Sequence, residues 1–260
     1  MKSLFDVTGK TVVITGGTRG IGLTMARGLV EAGASVVISS RKADACEQAR
    51  SELAQLARPG QSITAIPADL SDESDCQRLA DAVGGEHDRV HALFNNAGAT
   101  WGAPLEEFPS HGWDKVLDLN LKAPFYMTTA LLPLLEKAAT EADPARVVNI
   151  GSVDGLRVPP VENYSYAASK AGLHHLTRVL ARALGPRNIT VNAIAPGPFE
   201  TKMMAATLRT HGDVFNAAAA LGRTGREEDL TGVAVFLAAP ASAYITGAVL
   251  PVDGGISTTV

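Results

Sequence analysis

Seven short runs of β-branched and other apolar residues recur along the chain, and each run is apolar at successive positions. They occupy residues 10–15, 35–39, 62–66, 91–95, 146–151, 189–195 and 248–252. This pattern is typical of parallel strands buried between two layers of helix. Helical patterns lie between them, over 20–32, 42–57, 72–84, 112–138, 164–184 and 226–239. The alternation predicts an α/β fold with a doubly wound parallel sheet of about seven strands and helices on both faces.

The composition favours one compact domain over residues 1–260. Hydrophobic residues make up 46% of the chain and charged residues 19%, which is ample apolar material for a core. No Pro/Gly-rich linker divides the chain.

We expect Ser71, ahead of Ser74 and Asp75, to cap the third helix. The alanine-rich segment 199–222 has no strand pattern, and we expect it to form a mobile lid over the ligand.

Charge and cysteine content narrow the classes of function. The net charge is −4 and no Lys/Arg-rich run is present, which argues against nucleic-acid binding. Cys46 and Cys76 lack the spacing of a metal site, so we expect free thiols in a reducing compartment. The adjacent His174 and His175 cannot face one metal ion from a helix, and we expect no metal. The chain has neither a signal-peptide h-region nor a membrane span, which predicts a soluble cytoplasmic protein without membrane binding.

A glycine-rich turn follows the first predicted strand. The stretch "TGGTRGIG", Thr15 to Gly22, places glycines at 16, 20 and 22 where a strand turns into a helix. Such a turn lets the backbone approach a pyrophosphate that faces the amides of the helix N-terminus. Glycine is also common in ordinary tight turns. The position directly after a buried strand favours a dinucleotide site.

A second candidate is the stretch "YSYAASKAG", Tyr164 to Gly172. Residues four apart lie on one face of a helix, so Tyr166 and Lys170 are expected to lie together while Tyr164 points elsewhere. A Tyr-x-x-x-Lys pair also occurs by chance, and the motif gains weight only from other residues.

The complete set of motifs resembles the short-chain dehydrogenase/reductase family. In chain order they are "TGGTRGIG", Asp69 in "ADL", "NNAG" at 95–98, Asn120 in "LNL", Ser152, "YAASK" at 166–170 and "PGPFET" at 196–201. The resemblance covers essentially the whole chain and implies a single-domain Rossmann-type fold. The full-length pattern is most similar to 3-oxoacyl-(acyl carrier protein) reductases, including the kind associated with rhamnolipid synthesis.

The resemblance implies four catalytic residues: Asn120, Ser152, Tyr166 and Lys170. Tyr166 would exchange a proton with the substrate, and Ser152 would hydrogen-bond the substrate oxygen. Lowering a phenol pKa from about 10 to about 7 takes roughly 4 kcal/mol, which one ammonium at about 4 Å supplies at an effective dielectric near 20. We therefore expect Lys170 to lower the Tyr166 pKa. Asn120 would anchor a water that relays protons toward Lys170.

The resemblance also implies a set of cofactor-binding residues. Asp69 and Leu70 would border the adenine, while Asp69 alternatively belongs to the cap region of a helix and 95–98 alternatively forms only a turn. The complete set is Gly16, Thr18, Arg19, Gly20, Ile21, Ser40, Arg41, Asp69, Leu70, Asn96, Ala97, Gly98, Tyr166, Lys170, Pro196, Gly197 and Thr201.

The end of the second strand predicts which dinucleotide is used. An enzyme that holds the ribose 2′-hydroxyl of NAD usually places an acidic residue there, but residues 39–42 are Ser-Ser-Arg-Lys. Arg41 and Arg19 can make charge-assisted hydrogen bonds to a 2′-phosphate. The alternative is that both arginines are solvated surface charges. We predict NADP(H) as the cofactor.

The implied reaction is the reduction of a ketone by NADPH, with a 3-oxoacyl thioester as the expected substrate. Apolar residues after the fourth and fifth strands and in the lid are expected to line the site: Trp101, Leu156, Val158, Val161, Phe199, Met203, Met204 and Phe215. The alternative is a sugar, polyol, steroid or general carbonyl dehydrogenase of the same family. Acyl carrier protein is an expected partner, with Arg157, Lys202 and Arg209 as candidate contacts. A homotetramer is expected to form through helices 112–138 and 164–184.

Overall fold

Seven parallel strands form one sheet in the computed structural model, which describes residues 4–200 and 205–259. The strands are β1 Thr11–Thr15, β2 Ser35–Ser40, β3 Ile63–Pro67, β4 Ala92–Asn95, β5 Ala145–Ile150, β6 Ile189–Pro196 and β7 Val249–Val252. Their spatial order is β3-β2-β1-β4-β5-β6-β7, and neighbouring strands pair in parallel. The predicted doubly wound parallel sheet is confirmed.

Helices cover both faces of the sheet. They are α1 Gly20–Glu31, α2 Ala43–Ala54, α3 Glu73–Glu86, α4 Ser110–Leu117, α5 Ala123–Ala138, α6 Tyr164–Leu184, α7 Ala205–Ala218 and α8 Glu227–Ala238. Strand β1 shows how the chain fills two cores, because Val13 packs into the core under α3, α5 and α6. Val12 and Ile14 point the other way, into the core under α1, α2 and α8. Successive side chains of this fully apolar strand therefore point to opposite faces of the sheet and contribute to both cores.

The predicted helix 112–138 is wrong in detail. The structure has α4 and α5 joined by a π-helical turn over Asp118–Lys122, so the extra residue shifts the helical face. Asn120 lies in this turn and is buried. A periodicity argument does not find a π turn because the flanking residues keep an ordinary helical pattern.

One other local prediction, the cap of the third helix, is wrong. The cap of α3 is Asp72, whose carboxylate accepts from the Ser74 backbone amide at 2.8 Å, rather than Ser71. The segment 199–222 contains a helix, α7, and Phe199 forms an isolated parallel bridge with Gly225. Residues 201–204 of the predicted lid lie outside the described residues.

The strands all end at the same edge of the sheet, which we call the carboxyl edge. It carries the loops that follow β1, β2, β4, β5 and β6, and the sequence places the candidate site residues in these loops. We call the opposite edge, where the strands begin, the amino edge. Cys46 and Cys76 are buried free thiols. Within the described ranges, no helix combines the length and apolar character needed to cross a bilayer.

Candidate active site

The glycine-rich turn after β1 is held against the loop after β4. Gly16 and Gly20 have φ of 64° and 52°, in the left-handed region that favours glycine. The Asn96 side chain donates to the carbonyls of Thr15 at 2.9 Å and Gly16 at 3.0 Å. A Cβ at Gly16 would lie 2.9 Å from that same amide nitrogen. Asn96 therefore braces the turn with its side chain, a role that the motif alone does not reveal.

The helix that follows this turn has a free N-terminus. Its N-cap residue, Arg19, makes no side-chain cap and no acidic residue lies in the first turn of α1. Within the described residues, no capping side chain therefore satisfies the first backbone amides of α1, which lie at the positive end of the helix dipole. Thr18 and Ile21 are partly exposed and Arg19 is exposed. These residues fit a bound pyrophosphate.

The end of β2 is basic. Ser40 is partly exposed, Arg41 and Lys42 are exposed, and the next carboxylate along the chain is Asp44 in the first turn of α2. The buried Ser39 hydroxyl has no hydrogen-bond partner in the described part of the chain. Lys42 is the N-cap of α2 and makes no side-chain cap. Two exposed cations beside an uncapped helix fit a phosphate group.

The other predicted cofactor residues occupy the same edge. Asp69 accepts from the Ser71 backbone amide at 3.2 Å and the Ser71 hydroxyl at 2.7 Å, so its carboxylate also orders a turn. Leu70 is buried. Pro196 ends β6, and the Gly197 amide donates to Val252 at 2.9 Å. Thr201 lies outside the described residues.

Ser152, Tyr166 and Lys170 come together where β5 meets α6. Ser152 directly follows β5 and Gly151, and Tyr166 and Lys170 lie in the first two turns of α6. The Lys170 ammonium donates to the Ile150 carbonyl at 2.7 Å and lies 5.5 Å from the centre of the Tyr166 ring. The structure therefore gathers three of the four predicted catalytic residues in one place.

The fourth, Asn120, joins two loops of the site. Its Nδ2 donates to the Ala99 carbonyl at 2.9 Å and to Ser169 Oγ at 3.0 Å, while its Oδ1 accepts from the Ala99 amide at 2.8 Å. Ser169 lies directly before Lys170. Both donor hydrogens of Asn120 are used within the protein, so only Oδ1 has capacity left for a water.

Burial is the main cause of the pKa shifts of Tyr166 and Lys170. It raises the pKa of Tyr166 to about 12, with the Ser152 hydroxyl lowering it and the charge of Asp154 raising it further. Burial also lowers the pKa of Lys170 to about 8. The expectation that Lys170 lowers the phenol pKa is not met in this structure, because the ammonium is held by the Ile150 carbonyl and is itself desolvated. Tyr166 is thus protonated at neutral pH.

Gly98 links this group to the candidate cofactor residues. A Cβ at Gly98 would lie 3.3 Å from Asn120 Oδ1 and 3.8 Å from Lys170 Nζ. The neighbouring Ala97 amide donates to Thr15 Oγ1 at 3.0 Å. The loop after β4 therefore passes between the glycine-rich turn and the reactive residues.

Three polar residues near the site were not found from the sequence. Asp154 lies two residues after Ser152, and its carboxylate accepts from Asn163 Nδ2 at 3.0 Å. His174 is buried below the loop after β5, and a Cβ at Gly151 would lie 2.0 Å from its Nε2. The sequence did contain a signal for the burial of His174. Of two adjacent histidines on an amphipathic helix, such as 174 and 175, one is expected to point inward.

Only some of the apolar residues predicted to line the substrate site are exposed. Leu156, Val158 and Val161 are exposed on the loop between β5 and α6. Phe199 and Phe215 are buried at 4% and 9% exposure, so they belong to the packing. Trp101 packs against His111 and Lys115. Met203 and Met204 lie outside the described residues.

Comparison with known proteins agrees with this geometry. A family model described as Enoyl-(Acyl carrier protein) reductase matches residues 16–257. The chain belongs to the short-chain dehydrogenase/reductase family.

Individual relatives span the full chain. A rhamnolipids biosynthesis 3-oxoacyl-[acyl-carrier-protein] reductase of Pseudomonas aeruginosa is 44% identical and covers 98% of this chain and 99% of the relative. A gluconate 5-dehydrogenase of Gluconobacter oxydans is 34% identical, covering 99% and 98%. The structure of the Pseudomonas aeruginosa RhlG/NADP active-site complex is 44% identical, with a TM-score of 0.93 and coverage of 99% and 100%.

Proposed function

We propose that the protein reduces a ketone, namely a 3-oxoacyl thioester, to the hydroxy compound with NADPH, and that Tyr166 donates the proton. The observation that carries this proposal is the placement of a protonated phenol beside Ser152 and Lys170 at the carboxyl edge. A pKa of about 12 keeps Tyr166 in the acid form that reduction requires. The 44% identical reductase supports the thioester as substrate.

Each residue has a separable task in this reaction. Ser152 Oγ accepts from the Asp154 backbone amide at 3.1 Å and its hydroxyl hydrogen-bonds Tyr166; in this proposal the Ser152 hydrogen donates to the ketone oxygen when the substrate binds. Tyr166 gives its proton to that oxygen and regains one from solvent. Lys170, whose ammonium lies 5.5 Å from the centre of the Tyr166 ring, contacts the nicotinamide ribose in this proposal. Asn120 holds the loop after β4 against α6 and offers Oδ1 to a relaying water.

NADPH, when bound, supplies a hydride to the carbonyl carbon. We propose that the uncapped start of α1 and residues Gly16, Thr18, Arg19, Gly20 and Ile21 hold its pyrophosphate. The further contacts proposed are Ser40 and Arg41 at the 2′-phosphate, Asp69 and Leu70 at the adenine, and Asn96, Ala97, Gly98, Tyr166, Lys170, Pro196, Gly197 and Thr201 around the nicotinamide half. The NADP complex of the 44% identical structure supports this choice of cofactor.

A second candidate is a sugar or polyol dehydrogenase. The full-length match to a gluconate 5-dehydrogenase favours it. Against it stand Leu156, Val158 and Val161, which expose apolar surface on the loop that follows Ser152, and such a surface suits an acyl chain better than a sugar. Steroid or general carbonyl reduction would use the same catalytic residues. A non-catalytic dinucleotide sensor would have no need of Ser152, Tyr166 and Lys170 together.

We further propose a homotetramer in the cytoplasm, with segment 199–222 acting as a substrate lid. The outward faces of α5 and α6 support the assembly, because Phe125 and Val179 are exposed at 41% and 51% and line one apolar cleft. The buried free thiols of Cys46 and Cys76 suit a reducing compartment. Acyl carrier protein is the proposed macromolecular partner, with Arg157 near the entrance as one contact.

The proposal is tested by following dihydronicotinamide absorbance. Wild type and Tyr166→Phe are assayed with NADPH or NADH against acetoacetyl thioester, a sugar ketone and a steroid ketone, and Tyr164→Phe serves as the matched control. We expect thioester turnover with NADPH that falls at least about 100-fold in Tyr166→Phe only. Turnover of the sugar ketone without thioester turnover would establish the second candidate instead.

A further inference from the structure

Asp154 is a carboxylate held between the two elements that carry the proposed catalytic residues. It lies in the short helical turn Val153–Gly155, and its backbone amide donates to Ser152 Oγ. Its Oδ2 accepts from Asn163, the residue directly before α6 and three residues before Tyr166. The side chain is neither fully buried nor exposed. The geometry therefore fixes a carboxylate beside the place where the ketone would bind.

The charge of this carboxylate is not neutralised by an ion pair. Arg157 is the cation that acts on Asp154, yet no nitrogen–oxygen contact of 4.0 Å or less joins them in the part of the chain described. The next residue, Gly155, packs against the Lys170 backbone and the His174 ring, since a Cβ at Gly155 would lie 2.7 Å from the Lys170 carbonyl carbon and 2.9 Å from His174 Cε1. The charge of Asp154 raises the pKa of Tyr166, so its field extends to the phenol that would protonate the substrate.

The hydrogen-bonding capacity left over at this place is acceptor capacity. A carboxylate only accepts, so the Asn163 amide must turn its nitrogen toward Asp154. Asn163 is 8% exposed, and its Oδ1 is buried with no partner among the described residues. Asp154 therefore offers only acceptor oxygens at this place, while the Asn163 Oδ1 beside it is closed to solvent. Oxygens without donors disfavour an anionic group.

We propose that Asp154 is a specificity-determining residue that makes the site select neutral ketones, such as 3-oxoacyl thioesters, against keto acids. This inference rests on the proposed function and names the substrate class more narrowly. A free 3-oxo acid carries its carboxylate two bonds from the ketone carbon, and the proposal places this group on the Asp154 side of the ketone, where the thioester has a neutral carbonyl. Like charges a few ångströms apart in a partly solvated site change binding by on the order of tenfold.

The test compares acetoacetate with its neutral thioester, acetoacetyl-N-acetylcysteamine. The ratio of the two kcat/KM values, thioester over acid, is measured with NADPH for wild type and Asp154→Asn. Asparagine keeps an oxygen for Asn163 and removes the charge. We expect the ratio to fall about tenfold. The matched control is Glu141→Gln, which makes the same change in net charge at an exposed position on the amino edge and leaves the ratio unchanged.

Two further variants separate charge from structure. Asp154→Glu keeps the charge and is expected to retain most of the discrimination, and Asp154→Ser removes the charge in a smaller side chain if Asp154→Asn does not fold. Loss of the charge also lowers the Tyr166 pKa, so the pH profile of alcohol oxidation shifts to lower pH. A ratio and a pH profile that stay at the wild-type values in a folded Asp154→Asn or Asp154→Ser protein would overturn the inference.

The substrate proposal and the role of Asp154 fail in different ways. If wild type leaves thioesters unreduced but turns over another ketone, the thioester assignment is wrong. The same ratio is then measured for the neutral ester and the free acid of that ketone. A drop in Asp154→Asn would support the role of Asp154, and an unchanged ratio would overturn it.

Discussion

The two edges of the sheet both bury lysines, but they treat the charge differently. At the amino edge, the Lys10 ammonium donates to both oxygens of Asp143 at 2.7 and 2.8 Å, and the Arg146 guanidinium binds the same carboxylate. Lys10 is 6% exposed and Arg146 is 1% exposed. At the carboxyl edge, Lys170 is 4% exposed and bonds to a neutral backbone carbonyl.

Burial lowers the pKa of both lysines, and at Lys10 the hydrogen bond and charge of Asp143 oppose this shift. Burial alone would raise the pKa of Asp143, but the hydrogen bonds from Lys10 and Arg146 outweigh it and the pKa is lowered. Burial lowers the pKa of Lys170 to about 8, and no carboxylate in the described part of the chain opposes the shift. A buried cation with a carboxylate partner supports the fold, whereas one without such a partner remains available to a reacting group.

The largest effect is expected at the amino edge. Asp143→Asn removes the carboxylate shared by two buried cations, and we expect a loss of about 3–5 kcal/mol in the free energy of unfolding. The measurement is urea denaturation. The control is Glu47→Gln, which breaks an exposed pair with Arg50 and should leave the free energy of unfolding close to the wild-type value. Equal losses in the two variants would remove the distinction between paired and solvated charges.

The next effect concerns the exposed cations of the carboxyl edge. Arg41→Asp replaces the proposed 2′-phosphate contact by a repelling charge, and we expect the preference for NADPH over NADH to fall about 10- to 100-fold. The measurement is kcat/KM for each dinucleotide. Arg89→Asp makes the same charge change near the amino edge and should leave the preference intact. An equal loss with both dinucleotides in Arg41→Asp would contradict the assignment.

A smaller effect comes from His174, whose pKa burial lowers to about 4. The unfolded chain binds a proton near pH 6.5, so between pH 6.5 and 4 protonation favours unfolding and stability falls as the pH falls. We expect His174→Gln to reduce this slope by up to about 1.4 kcal/mol per pH unit.

His91 at the amino edge also has a pKa lowered to about 4, mainly by burial, so part of the acid sensitivity remains in the His174 variant. The measurement is the free energy of unfolding at several pH values, with the exposed His111→Gln as control. An unchanged slope in His174→Gln would show that the buried ring titrates normally.

The sequence predicted the architecture well because the pattern of buried parallel strands is long and regular. It also predicted which residues gather at the carboxyl edge, since Ser152, Tyr166 and Lys170 follow from a resemblance that spans the chain. Details that depend on tertiary packing were beyond it. The π turn that positions Asn120 has no periodic signature, and the direction of the Tyr166 pKa depends on burial rather than on spacing.

The most direct test of the contrast between the edges is to measure stability and activity together in Lys170→Met and Asp143→Asn. Methionine removes a buried charge that has no carboxylate partner, so we expect the melting temperature of Lys170→Met to stay at the wild-type value or rise while ketone reduction is lost. We expect Asp143→Asn to lose stability while its folded fraction keeps kcat. A Lys170→Met protein that loses stability as severely as Asp143→Asn would contradict the account.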